Sequence, residues 1–330
     1  MLGAAKCAAL GLYAASSGGR FAPHRHPQPV ACLPDPGSTN VLKFTDVKSG
    51  RDVVLVGVMH FNPVSIQAVE RVVADLAGAR DLGAILVESC PARWATAEED
   101  AQVASGDDEM QVAAALAEAN GCGFALADQD IDVTSGRLAQ LCKLSLIQLF
   151  TPLSGGWQHL GRDLASGWAA LQPADGDGVT SLAFVDGQLL LGAPVALRRW
   201  LSSNPEVVAL LVGAAAVLGA ADGAALFIGG GDPVYPWEVT SLDAVLELLP
   251  SVGIALVESV LLMRILLVGL VEERNHVLAR HIRAASMQVL TPPRAVRQRG
   301  GGKDGRTVVA VMGLAHLNGV KQLLTTSRAV

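Results

Sequence analysis

The chain has 330 residues, of which 51% are hydrophobic, 17% charged and only 4% aromatic, with a net charge of −6. Such a chain is long enough to bury a sizeable aliphatic core. The acidic balance, with no Lys/Arg stripe interleaved with aromatics, argues against a nucleic-acid binder. Cysteines at 7, 32, 90, 122 and 142 show no C-x-x-C spacing, so they read as reduced thiols, neither a disulfide framework nor a zinc finger.

No acid precedes Asp35, while Lys6, Arg20 and Arg25 lie in the same stretch with several Ala, Ser and Gly. Residues 1–36 are expected to be a disordered extension acting as an organellar transit peptide, with a chloroplast slightly favoured over a mitochondrion. Asn40–Thr45 and Asp52–Val56 read as two short strands joined by a turn at Lys48-Ser49-Gly50. A helical period follows over 64–76, with Ser65 near its N-cap and Val69, Val72, Val73 and Leu76 on one face. Residues 84–87 form the next buried strand, ending at Glu88. A helix spans 108–120, closed by Gly121, and a strand over 124–127 ends at Asp128. Another helix covers 138–149. This alternation predicts an α/β fold: one domain over 40–330, with a central, largely parallel sheet flanked by helices.

Residues 151–240 read as a divergent helical and loop insertion, in which 155–187, with a loop over 173–178, is expected to be an insertion or lid. A helix then runs through Arg264 and continues, kinked, to Ser286. The apolar stretch 244–271 carries Glu247, Pro250, Glu258 and Arg264, which favours buried soluble helices over a membrane span. Residues 298–305 form a linker to the last strand, and a short helix starts at Gly319.

Two boxes of one design sit at opposite ends of this domain: Gly57-Val58-Met59-His60 and Gly313-Leu314-Ala315-His316, each after a run rich in β-branched residues. Gly permits a sharp turn, and open α/β sheets gather ligands at strand ends. His60, His316, Glu88 and Asp128 therefore form a candidate set of ligands for a divalent metal; manganese, cobalt and zinc fit equally. Glu88 is alternatively a general base. Arg93 and Arg137, just beyond Glu88 and Asp128, orient a substrate carboxylate or clamp the site. Glu273, on the late helix, is a further candidate for pointing inward. His276 and His281 read as surface residues. No G-x-S-x-G elbow or phosphate loop occurs.

These boxes, with Val87-Glu88-Ser89-Cys90-Pro91-Ala92-Arg93, Asp128-Gln129-Asp130 with Thr134 and Arg137, Glu273-Arg274-Asn275 and the closing Leu317-Asn318-Gly319, resemble the TraB family. That family includes the pheromone-shutdown proteins and is distantly similar to the Tiki metalloproteases. Gln129 departs from the pattern, standing where relatives usually carry Arg. The resemblance implies a compact α/β fold with the two histidines and the glutamate in one cleft, and peptidase-like, metal-dependent hydrolysis there. The expected substrate is a peptide or a small ester or amide. The alternative is a non-catalytic regulatory protein that binds a peptide or protein partner, with membrane association but no clear transmembrane helix.

Overall fold

A computed structural model describes residues 40–101, 108–174, 178–180, 183, 186–203, 242–288 and 307–326. The N-terminal extension, the apolar run 207–221, the glycine cluster 229–231, the break at 232–236 and the linker 298–305 lie outside the described residues.

The predicted α/β architecture is present: a five-stranded sheet in the order β1-β2-β5-β3-β4, covered by helices. The strands are β1 (Val41–Thr45), β2 (Asp52–Val58), β3 (Leu82–Val87), β4 (Gly123–Leu126) and β5 (Thr307–Gly313). Only β1 runs antiparallel to its neighbour; the other pairs are parallel. β2, β3 and β5 are runs of Val, Ile, Leu and Ala buried on both faces, as strands covered on two sides must be. One face packs against helices α1 (Pro63–Gly78) and α3 (Glu109–Asn120) through Val69, Val73, Met110, Ala113 and Ala117. The other packs against α8 (Glu273–Gln288) and α9 (Leu317–Thr325) through Leu278, Ile282, Leu317, Val320 and Leu324.

The remaining helices are α2 (Pro91–Ala101), α4 (Ile131–Leu149), α5 (Gly156–Leu171), α6 (Gly187–Ser203) and α7 (Leu242–Arg264). The structure refines three expectations. The N-cap of α1 is Asn62, whose Oδ1 accepts from Val64 N, whereas Ser65 Oγ accepts from Met59 N at 3.0 Å. The stretch read as an insertion or lid contains α5, where Gly167 lets the helix pack against Leu267; a Cβ there would sit 2.8 Å from the Leu267 carbonyl oxygen. The kink expected in the late helix is a π-helical segment, Ile265–Glu272, joining α7 to α8. Within it Gly269 admits Leu138 of α4.

The run 244–271 is not buried throughout. Arg264, Leu267 and Val268 are buried, but Val252, Ile254, Leu256 and Leu262 are exposed. Among the described residues one helix, Val252–Gln288, is long and apolar enough to cross a membrane. Cys90, Cys122 and Cys142 are free thiols.

β5 lies between β2 and β3, so the two histidine boxes become neighbours. Gly57 faces Met312 and Val58 faces Gly313, an offset of one residue. Neither glycine has positive φ. Gly57 is needed for space: a Cβ would stand 2.7 Å from Leu314 Cδ1 and 2.8 Å from Leu317 Cδ2. Phe61, directly after His60, is left-handed, at φ 61°. That conformation is rare for a bulky side chain and concentrates at functional turns.

Candidate functional site

The carboxyl ends of β2, β3 and β5 bring His60, Glu88 and His316 together around Gly313. A methyl group on Gly313 would stand 3.3 Å from Glu88 Oε2, 3.6 Å from His316 Cδ2 and 3.7 Å from His60 Nε2. Each imidazole is held from behind. His60 Nδ1 meets Glu109 Oε1 at 2.6 Å, and Phe61 N donates to Glu109 Oε2 at 2.9 Å. Glu109 is fully buried and occupies the first turn of α3, where the helix dipole favours a negative charge. His316 Nδ1 meets Asn275 Oδ1 at 2.7 Å, with both residues buried. A Cβ on Gly319 would overlap Asn275 Nδ2, so Gly319 makes room for the amide that orients His316.

Glu88 and Asp128 are knitted together by Arg274. Its Nη2 donates to Glu88 Oε1 at 2.5 Å and Asp128 Oδ2 at 2.6 Å, and its Nε donates to Asp128 Oδ1 at 3.1 Å. Arg93 Nη2 also donates to Asp128 Oδ2. The second Glu88 oxygen accepts from Gly313 N at 2.6 Å, and His316 Nε2 lies 3.4 Å from Glu88 Oε1.

The electrostatics follow from these partners. The His60 side chain is 45% exposed but enclosed on its Glu109 side; desolvation there lowers its pKa, and the Glu109 hydrogen bond and charge outweigh it and lift it to about 9. Burial would raise the Glu88 carboxyl, yet His316, then Arg274 and His60, hold it well below the usual carboxylate range. Burial and the adjacent Glu109 charge push Asp108 up to about 6.

The sequence-derived residues divide. His60, Glu88 and His316 meet around Gly313. Asp128 joins them through Arg274; its oxygens accept from Arg274 and Arg93, just as those of Glu88 accept from Arg274 and Gly313 N. Arg93 is the clamp on Asp128, with its side chain 41% exposed and no other partner among the described residues. Arg137 and Glu273 pair with each other at 2.7 to 3.0 Å, and both line a cavity of about 290 Å³ whose lining includes neither histidine of the boxes nor Glu88. The inward residues of α8 are therefore Arg274 and Asn275, and Glu273 is not. His281 is not a free surface residue either: its Nδ1 lies 2.6 Å from Ala127 O.

Glu109 and Asn275 carry no sequence signal of this role. An acid at the start of a helix reads as a capping residue, and an Asn in a charged run reads as solvated. No family model, curated protein or solved structure matches the chain.

Proposed function

We propose that the protein is a hydrolase whose centre is the His60–Glu88–His316 cluster, working with a divalent metal ion on a peptide or a small ester or amide. One observation carries this reading. Both imidazoles have Nδ1 fixed by a buried acceptor, Glu109 or Asn275, which leaves Nε2 of each on the Glu88 side of the cluster: His60 Nε2 beside Gly313 and His316 Nε2 3.4 Å from Glu88 Oε1, so an ion bound there would replace the His60 proton and that contact. Histidine ligands of metals are oriented by second partners of this kind. Among the described residues no three His, Cys, Asp or Glu side chains are already gathered as a metal-binding group. His60 and His316, with the Glu88 carboxylate, have the donor chemistry to form one, and Asp128 is linked to them through the shared Arg274 guanidinium.

When bound, such an ion acidifies a water molecule into a nucleophile near neutral pH. The chain's own groups do the rest. Glu109 and Asn275 fix the imidazole orientation. His316 and then Arg274 keep Glu88 ionised, and Arg93, with N–H groups unused on Asp128, orients a substrate carbonyl or carboxylate. The sequence resemblance to the TraB family agrees with this reading, as does organellar import, and both stand as part of the proposal.

A second reading, a non-catalytic cleft for a peptide or protein partner, is favoured by the pairing of both Glu88 and Asp128 with Arg274. Elemental analysis separates the two readings. Purified protein incubated with manganese, cobalt or zinc is expected to retain near-stoichiometric metal, and His60→Ala and His316→Ala each to lose it while remaining folded. Full metal retention in both variants, or no metal in the parent, defeats the hydrolase reading.

A further inference from the structure

The cavity of about 290 Å³ that Arg137 and Glu273 line has walls on α4, α5, α7 and α8 and on the π-helical turn joining α7 to α8. π-Helical turns are frequent at functional sites. Leu141, Leu144 and Val268 supply aliphatic surface. The ionised groups are three carboxylates, Asp163, Glu272 and Glu273, and two guanidiniums, Arg137 and Arg264. Both guanidiniums are taken. Arg137 donates to both oxygens of Glu273, and Arg264 Nη2 donates to Asp163 Oδ2. Glu272 has only a hydroxyl: its Oε1 accepts from Ser166 Oγ at 2.5 Å, and no cation pairs with it among the described residues. His276, one helical turn after Glu272, is exposed and has no hydrogen bond or ion pair among the described residues. Arg264 is the opposite case, with its side chain 3% exposed. Ser145, Gln148 and Asp163 accept from its Nη atoms, yet its buried Nε has no acceptor among the described residues. A buried donor left open in this way calls for a further partner. The cavity thus offers an unpaired carboxylate, a free imidazole and an unused N–H beside aliphatic side chains.

We propose that this cavity binds the N-terminal residue of a peptide or a free amino-acid amide. The ammonium group pairs with Glu272 and His276, the carbonyl oxygen accepts from Arg264 Nε, and an aliphatic side chain rests on Leu141, Leu144 and Val268. An ammonium brings three donors and the positive charge that Glu272 lacks. A neutral carbonyl, unlike a carboxylate, adds no negative charge beside Asp163 and Glu273. The volume lies at the lower end for small-molecule clefts, which suits one residue. None of the lining residues belongs to the His60–Glu88–His316 cluster, so the proposal does not depend on the hydrolase reading. The two places share α8, which carries Glu273 and His276 to the cavity and Arg274 and Asn275 to the cluster.

The test is titration calorimetry of the full chain in mildly acidic buffer, where an α-amino group is protonated. The probes are leucinamide, N-acetyl-leucinamide, which lacks the ammonium, and isoamylamine, which lacks the carbonyl. Leucinamide is expected to bind, the acetylated probe about tenfold more weakly, and isoamylamine in between. Glu272→Gln should weaken leucinamide about tenfold and His276→Ala by a smaller factor, with both variants folded by thermal unfolding. His60→Ala should bind leucinamide within about twofold of the parent. No binding of leucinamide by folded parent protein, unchanged affinity in Glu272→Gln, or equal binding of leucinamide and either of the other probes overturns the proposal. The metal analysis of His60→Ala succeeds or fails independently of this titration, so the two claims fall separately.

Discussion

Arg274→Ala is expected to cost about 3 kcal/mol, because it removes the cation shared by two buried carboxylates and leaves Asp128 with Arg93 alone and Glu88 with Gly313 N and His316. The Glu88 and Asp128 side chains are 4% and 3% exposed, and Arg274 contacts both. The loss should depend on pH in a defined direction. Glu88 has a folded-state pKa below its ordinary value near 4.5. A carboxyl shifted that way contributes stability that is fully present above 4.5 and lost as pH falls through the lowered value. Without Arg274 the carboxyl moves upward and part of that contribution is absent at neutral pH. The gap between parent and variant is therefore widest at neutral pH and narrows in acid. Urea unfolding at neutral pH and at a series of acidic pH values reaching well below 4.5 checks this; a gap that stays constant down to the acid transition of the parent would mean that Arg274 contributes packing alone. The variant should also lose the geometry of Glu88, so metal retention falls with stability.

A comparable loss, about 3–5 kcal/mol, is expected for Arg283→Ala. Arg283 of α8 donates from Nε to Asp46 Oδ1 at 3.0 Å, with side chains 7% and 0% exposed. Its Nη2 reaches the carbonyls of Leu323 and Leu324 at 3.0 and 3.4 Å. One side chain thus ties the β1–β2 turn, α8 and the end of α9 together. Removing it leaves the Asp46 carboxylate buried without its cation. Replacing both partners, Asp46→Leu with Arg283→Met, should recover much of the loss, since neither charge is then stranded. Thermal or urea unfolding of the two single variants and the double variant measures the coupling. A double variant as unstable as the sum of the single variants would show that the pair is not the source.

The fold was legible where one segment carried its own signal. β2, β3 and β5 are buried runs dominated by aliphatic, largely β-branched residues, and the helix over 108–120 has Gly121 at its C-cap with φ 61°. The adjacency of the two boxes was also legible, since β2 and β5 pair in parallel. What the sequence hid is tertiary. Gly167 weakens a helical pattern locally, and its reason, the backbone of Leu267, lies 100 residues away. Glu109 is 49 residues from His60 and Arg274 is 186 from Glu88. Each looks like an ordinary helix-surface charge until the chain folds. The two motif glycines were read as turn formers, but they act by being small.

Gly313 offers the most direct test of the central claim, that a metal-binding centre lies between His60, Glu88 and His316. Its backbone, at φ −54° and ψ 139°, suits any residue, so alanine should be accommodated. The added methyl would occupy the space between the donor atoms, 3.3 Å from Glu88 Oε2 and 3.7 Å from His60 Nε2. Zinc and manganese titration of the parent and of Gly313→Ala, with unfolding monitored in parallel, should show a parent that binds and a folded variant that does not. Equal metal affinity in the two proteins would place the ion elsewhere and contradict the account.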